Sequence, residues 1–174
     1  ADTFDCVAPT RLARRGGVGL ATRRVGDYEV SAAMVANPVG EVIEPQSGRL
    51  YGAPGRTPVN AAAYRALPHP AESKLNTTIG AVLTDAPINT AQAQRLAMTA
   101  HDGIARAVRP AHSPLDGDTI FALSTAQRPA ADSGALAMTP LCAAAADAVE
   151  EAIVNAVTAA EPGLGLSVYR ELLD

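Results

Sequence analysis

Thr77 lies in a run of residues that could make it both a nucleophile and a base. The run reads Leu75-Asn76-Thr77-Thr78-Ile79-Gly80. If the Asn76–Thr77 peptide bond were cut, Thr77 would carry a free α-amine beside its hydroxyl. An α-amine titrates at about pH 7.7–8.0, so it can accept the hydroxyl proton where a lysine stays charged. Asn and Thr are also common in turns and at strand ends, so a plain turn into a β-strand is the alternative.

Two carboxylates follow in the turn Asp116-Gly117-Asp118-Thr119. They are two residues apart just before a predicted strand, so they would point the same way along the pleat. In that position they could hold the Thr77 ammonium, orient its hydroxyl and shuttle a proton. From spacing alone, a turn with one Asp capping and the other solvated is equally open.

Asn37 follows a predicted strand from Glu29 to Ala36 and precedes Pro38. Its side-chain amide could donate a hydrogen bond to an oxyanion that develops during the reaction. An Asn that merely ends a strand before proline fits the same pattern, because proline cannot donate to a β-ladder.

The stretch from Asn76 to Ser124 closely resembles the start of the β chain in the P1 peptidase family, which includes DmpA-type L-aminopeptidase/D-amidases and nylon-oligomer hydrolases. Three blocks carry the resemblance: NTTIG at 76–80, AHDGIARAVRPAHSPLDGDTIFAL at 100–123, and RGGVG at 15–19 with AMVANPVGEVIEP at 33–45. It covers most of residues 14–125 and continues loosely to SVYRELL near the end. The resemblance implies an α/β fold with a layered αββα sandwich of the N-terminal-nucleophile type. It also implies a self-processing threonine amidohydrolase or aminopeptidase that works through an acyl-enzyme on Thr77.

The resemblance also implies a set of site residues and the absence of a metal or cofactor. Arg15 stands where relatives typically have lysine, and a guanidinium cannot accept a proton, so only an electrostatic role would survive there. The implied catalytic residues are Thr77, Asn37, Asp116 and Asp118, the autocleavage site is Asn76 and Thr77, and the supporting residues are Arg15, Gly16, Gly17 and Thr78.

Family members usually carry a further half before this region, including a GGSAYG-like segment with an active-site tyrosine. That segment is not found in residues 1–14, so the sandwich and its pocket are expected to be incomplete. Three interpretations follow. The chain is a working hydrolase of peptides or small amides, or a subunit of a split enzyme completed by a partner chain or a homo-oligomer, or a non-catalytic relative with a binding or assembly role. Transfer of the acyl group to an amine instead of water is a variant of the first.

The pattern along the chain predicts one domain made of two segments. Residues 1–76 form an α-chain-like segment with an arm, a strand and a long Pro/Gly loop over 44–74, and residues 77–174 form a β-chain-like segment that begins at the nucleophile. Gly16, Gly17 and Gly19 predict a turn where the backbone must bend or approach another group closely. Further elements are a strand over 79–84, a helix capped by Asn89 or Thr90, a strand over 119–124, an Ala-rich helix over 139–160 and a short strand or turn over 167–172.

Composition excludes several classes of function. A net charge of −4 over 174 residues argues against a nucleic-acid partner, because duplex binding needs a concentrated basic face. The sequence has no apolar run long enough to span a membrane, and residues 1–15 lack the apolar core expected of a signal peptide. Cys6 and Cys142 have no metal or redox spacing, so we predict unpaired thiols in the cytoplasm. His101 and His112 match no metal-ligand motif; we expect His101 on a helix face and His112 in a loop near the site.

Overall fold

The computed structural model describes residues 16–68, 76–127, 134–163 and 165–173. Within these ranges the chain forms four strands, three α-helices and a short 3₁₀-helix. In chain order they are β1 (Val18–Val25), β2 (Tyr28–Val35), α1 (Ala61–Arg65), β3 (Ile79–Thr84), α2 (Thr90–Ala107), β4 (Thr119–Ser124), α3 (Ala135–Thr158) and the 3₁₀-helix Tyr169–Leu172.

The four strands form one sheet in the order β1-β2-β3-β4. The β1–β2 and β2–β3 pairs are antiparallel, whereas β3 and β4 are parallel neighbours joined through α2. Helix α3 packs across β1 and β2, and α2 packs against β4 and α3. One sheet and one helical layer therefore make up the core of the described residues, and the predicted α/β alternation is confirmed.

Helix α2 forms where its sequence predicts it. Asn89 caps the helix by accepting a 2.9 Å hydrogen bond from the Gln92 backbone N–H, and the Gln92 side chain accepts one from the Asn89 N–H at 2.8 Å. This reciprocal pair satisfies donors that a helix start leaves free. The buried face consists of the predicted apolar positions Leu96, Ala100, Ile104 and Ala107, together with Gly103.

Of the two alternatives predicted for the first glycines, the bend is wrong at Gly19, because β1 begins at Val18 and includes that residue, and the close approach to another group is confirmed. A Cβ added to Gly19 would lie 1.8 Å from the carbonyl oxygen of Ala152. The glycine is there so that β1 can approach the backbone of α3, and the low β-propensity of glycine concealed the strand.

The Pro- and Gly-rich segment is more ordered than a long loop. In its described part it contains helix α1 and buries Leu50, Val59 and Tyr64 in the core. At the other end of the chain, a 3₁₀-helix replaces the predicted strand or turn. Helix α3 begins at Ala135, four residues before the predicted start, and Pro140 lies inside it.

One face of the sheet has no helix over it within the described residues. We call it the open sheet face. Strand alternation turns seven large apolar side chains outwards on it, and each of them is between 36% and 67% exposed. They are Val18, Leu20, Val35, Ile79, Leu83, Phe121 and Leu123.

Candidate active site

The Asn76–Thr77 peptide group lies immediately before β3, where the chain runs parallel to the Asp116–Asp118 turn. Asn76 forms a parallel bridge with Asp116, and the N–H of Gly117 donates a 2.9 Å hydrogen bond to the carbonyl oxygen of Asn76. The Thr77 hydroxyl donates to the same oxygen at 2.7 Å. Two donors therefore converge on the carbonyl of the bond that the sequence marks for cleavage.

Gly117 approaches Thr77 more closely than any other residue type would allow. A Cβ at position 117 would lie 2.8 Å from Thr77 Oγ1, inside van der Waals contact, and 3.7 Å from the Asn76 oxygen. The close approach keeps the Gly117 N–H on the carbonyl while the hydroxyl stays beside it. The sequence predicted Gly117 only as the middle residue of a turn.

Asn37 contacts Thr77, the predicted nucleophile, through its main chain. Its carbonyl oxygen accepts a 3.0 Å hydrogen bond from the Thr77 N–H, so the nitrogen that cleavage would free is held at the end of β2. Asn37 also lines a cavity of about 40 Å³ together with Gly16 and Glu41, which has room for a few waters and no more. A hydrogen bond from the Asn37 side-chain amide to an oxyanion stays a prediction.

Asp118 is a buried carboxylate with a partner on each oxygen. Its side chain is 5% exposed. Oδ1 accepts a 3.0 Å hydrogen bond from the Thr78 N–H, and Oδ2 lies 2.9 Å from Nδ1 of His112. The carboxylate is thus fixed to the residue that follows Thr77.

Asp116 is held by three donors in and beside its own turn. Oδ1 accepts from the Val39 N–H at 2.8 Å, and Oδ2 accepts from the Ser113 hydroxyl at 2.8 Å and the Ser113 N–H at 3.3 Å. Asp116 therefore ties the strand-end segment after Asn37 to the turn. In the continuous chain, within residues 76–127, neither carboxylate forms a hydrogen bond with Thr77, so their role towards an ammonium stays a prediction.

His112 is the functional candidate that motif reasoning undervalued. Its backbone has a φ of 54°, a left-handed conformation that is uncommon for histidine. Its ring pairs with Asp118 and lies with its centroid 5.1 Å from that of His101. The predictions of a helix-face His101 and of a loop His112 near the site both agree with the described geometry. The signal in the sequence was a histidine six positions before a carboxylate of the site.

The remaining predicted residues have different surroundings. A Cβ at Gly16 would lie 2.7 Å from the Ala36 oxygen, beside the site, whereas one at Gly17 would lie 3.1 Å from the Ala156 oxygen, against α3. Thr78 is fully buried, and its hydroxyl has no hydrogen-bond partner among the described residues. Arg15 and Cys6 lie outside the described residues.

The described ranges contain neither a metal centre nor a membrane-spanning helix. No group of three or more His, Cys, Asp and Glu side chains there is arranged to hold a metal ion. None of the helices in the same part of the chain combines the length and apolarity that crossing a membrane requires. Cys142, half-buried in α3, is a free thiol.

Comparison with known proteins places this geometry in a family. Residues 10–168 match the model of peptidase family S58. An uncharacterized aminopeptidase of Mycobacterium tuberculosis (strain ATCC 25618 / H37Rv) is 38% identical over 181 residues, covering 92% of this chain and 53% of that protein. A 6-aminohexanoate-oligomer endohydrolase of Kocuria sp. (strain KY2) is 31% identical over 156 residues, covering 80% of this chain and 44% of the enzyme. The chain thus spans about half the length of the relatives it matches.

Solved structures agree. A β-aminopeptidase from Burkholderia sp. superposes with a TM-score of 0.65 at 30% identity, covering 89% of this chain and 46% of that one. The L-aminopeptidase D-Ala-esterase/amidase of Ochrobactrum anthropi, described as a prototype for the serine aminopeptidases and a variant of the Ntn hydrolase fold, has a TM-score of 0.61 at 28% identity, covering 88% and 43%. The fold is therefore an α/β sandwich of the Ntn-hydrolase type, and the chain belongs to peptidase family S58, among the relatives of the DmpA-type aminopeptidases and the nylon-oligomer hydrolases.

Proposed function

We propose that this chain carries the nucleophile of a self-processing amide hydrolase, with Thr77 as that nucleophile. The observation that carries the proposal is the arrangement at the Asn76 carbonyl: the Thr77 hydroxyl lies 2.7 Å from its oxygen and the Gly117 N–H donates to it at 2.9 Å. A backbone N–H aimed at a carbonyl oxygen stabilises the negative charge that the oxygen acquires when the carbon is attacked. The nucleophile and the oxyanion donor are both present before any cut.

The self-cleavage step is an N-to-O acyl shift followed by hydrolysis. Thr77 Oγ1 forms a bond to the Asn76 carbonyl carbon, the Asn76–Thr77 C–N bond breaks, and the hydroxyl proton passes to the departing nitrogen. Water then cleaves the ester, which leaves a carboxylate on Asn76 and restores the Thr77 hydroxyl. The products are residues 1–76 and 77–174.

The freed amine then serves as the base for the hydroxyl on the same residue. Because the Thr77 nitrogen already donates to the Asn37 carbonyl oxygen at 3.0 Å, the amine starts from a held position. Asp116 and Asp118 are the carboxylates placed to receive the ammonium once the chain end can move, and the Asn37 side chain is the proposed second oxyanion donor. Thr77 would attack a substrate amide, and water would release the acyl group.

Peptides or small amides are the proposed substrates. The relatives are named as aminopeptidases and as hydrolases of 6-aminohexanoate oligomers, and both names describe cleavage of amide bonds. The cytoplasmic location predicted from the isolated cysteines stays a prediction.

Intact mass under denaturing conditions tests the nucleophile directly. We expect two species that divide between Asn76 and Thr77, and a single uncut species in Thr77→Ala. Thr77→Ser keeps a hydroxyl and should still cut. Thr99→Ala is the matched control, because the Thr99 hydroxyl bonds only to the carbonyls of its own helix. Cutting in Thr77→Ala would refute the assignment, and a single mass in the unaltered chain would favour a non-catalytic role or an enzyme that needs a further part.

The open sheet face supports the proposal that a further protein segment packs on this sheet. Seven exposed apolar side chains on one sheet form a surface that proteins normally cover. We propose that a second sheet covers it, supplied by the half that the relatives have in addition to the region matched here, either on the same polypeptide or on a partner chain. Co-expression with that half should give a complex that stays together on size-exclusion chromatography. A stable dimer of this chain alone, lost in Phe121→Lys, would instead identify a second copy as the cover.

A further inference from the structure

The Asp118 carboxylate depends on His112 for its second partner. Its side chain is 5% exposed, whereas that of His112 is 39% exposed. A carboxylate removed from water is costly unless each oxygen finds a donor. The Thr78 N–H satisfies Oδ1 at 3.0 Å. Among the described residues, the imidazole of His112 is the partner of Oδ2, at 2.9 Å.

The ring of His112 has a partner on each nitrogen. Nδ1 lies 2.9 Å from Oδ2 of Asp118, and Nε2 lies 3.3 Å from the main-chain carbonyl oxygen of His101. The ring is therefore held between α2 and the turn before β4, with Nδ1 directed at the carboxylate.

A second histidine lies against the ring. The ring centroids of His101 and His112 are 5.1 Å apart, and the two planes are tilted by 54°. Burial lowers the pKa of His101 and the neighbouring His112 lowers it further, whereas Asp118 and Asp102 act in the opposite direction. His112 therefore lies between the Asp118 carboxylate and the imidazole of His101.

We propose that His112 is a positioning residue whose Nδ1 holds the Asp118 carboxylate aimed at the start of β3, and that loss of this contact slows the chemistry of Thr77. This inference rests on the proposed function. His112 acts through Asp118, which in turn fixes the Thr78 amide next to the nucleophile. The left-handed backbone at His112, with φ of 54°, is what turns the ring back towards Asp118, and such conformations persist where the surroundings hold them.

Replacing His112 with glycine tests the ring without disturbing the backbone, because glycine adopts positive φ freely. We expect His112→Gly to self-cleave at least about tenfold more slowly, because Asp118 loses the partner of its second oxygen. Free imidazole added to this variant should restore cleavage. His101→Phe is the matched control, since it keeps a ring and the main-chain carbonyl. It should cut within about twofold of the unaltered chain, well below the tenfold step of 1.4 kcal/mol.

A second measurement separates this inference from the proposed function. In the uncut Thr77→Ala chain, the ¹⁵N resonance of His112 Nδ1 should move when Asp118→Asn is added, because the partner of that nitrogen changes. If the unaltered chain never cuts but this resonance behaves as expected, the nucleophile proposal fails and the pairing stands. Wild-type cleavage in His112→Gly, a slowed variant that imidazole does not rescue, or an Nδ1 resonance indifferent to Asp118→Asn would each overturn the role of His112.

Discussion

The backbone N–H of Gly117 donates a 2.9 Å hydrogen bond to the carbonyl oxygen of Asn76. This contact joins the Asn76–Thr77 segment to the Asp116–Asp118 turn, which are separated in the sequence by β3 and α2. It depends on the parallel pairing of β3 and β4, which continues beyond the strands through the Asn76–Asp116 bridge. In the proposed self-cleavage, this hydrogen bond between paired backbone segments would also be the donor to the oxyanion.

Gly117→Ala should slow self-cleavage by about 10²-fold. The added Cβ would lie 2.8 Å from Thr77 Oγ1, so the hydroxyl or the turn must shift, and a misplacement of about 1 Å at a reacting group costs that much. The time course of the intact mass measures it. Gly55→Ala is the control, because a Cβ at Gly55 meets no atom within 4 Å. Equal rates in the two variants would contradict a catalytic role for this approach.

Asp116→Asn should destabilise the fold more than it alters chemistry. An amide cannot accept hydrogen bonds from both the Val39 N–H and the Ser113 donors as the carboxylate does. Hydrogen bonds to charged groups are worth about 1.5–3 kcal/mol, so we expect a loss of roughly 2 kcal/mol in the free energy of unfolding, measured by urea denaturation. Ser113→Ala removes only part of the network and should cost less. A variant of unchanged stability that cannot cut would place Asp116 among the catalytic groups instead.

Gly19→Ala should lower the free energy of unfolding by about 1–3 kcal/mol, the range for an overpacked core. Its Cβ would lie 1.8 Å from the Ala152 oxygen and 2.4 Å from the Ala156 nitrogen, so β1 and α3 must separate. Urea denaturation measures the loss, and Gly134→Ala provides a comparison in open space. A Gly19→Ala chain as stable as the unaltered one would mean that β1 does not pack on α3 in this register.

Stability should fall on acidification below about pH 6.5 because of His101. Burial, and then His112, lower the pKa of His101 from its ordinary 6.5. Between the lowered pKa of His101 in the folded chain and its ordinary pKa in the unfolded chain, the unfolded chain binds more protons than the folded one. The free energy of unfolding therefore rises with pH in this window, and it decreases as the pH falls through the window. Urea denaturation at a series of pH values should show this slope in the unaltered chain and a weaker slope in His101→Phe. An unchanged slope in that variant would assign the effect to another group.

Local patterns predicted the elements nearest the site well. The strands over 79–84 and 119–124 have the expected bounds, and Asn89 caps α2 as its side chain suggests. These segments combine clear periodicity with flanking turn residues. Strand β1 escaped prediction because its glycines serve a tertiary contact with α3, which local propensity cannot reveal.

The sequence predicted candidate site residues, whose roles stay predictions, but it did not predict their contacts. The sequence named Thr77, Asp116 and Asp118, and the described geometry adds what each one touches. The pairing of His112 with Asp118 depends on a left-handed backbone at a histidine, a conformation for which residue type gives little warning. The donor role of Gly117 depends on the register between two strands that are far apart in sequence.

The antiparallel ladder between β2 and β3 has a consequence for the fate of the cut chain. Six residue pairs join strands that would belong to different products, from Val30–Thr84 to Val35–Ile79, and both products share one buried core. After cleavage, the two products would therefore stay associated through the sheet and the core. Folding must come before cutting, and the two pieces, made separately and mixed, should reassemble around the same ladder.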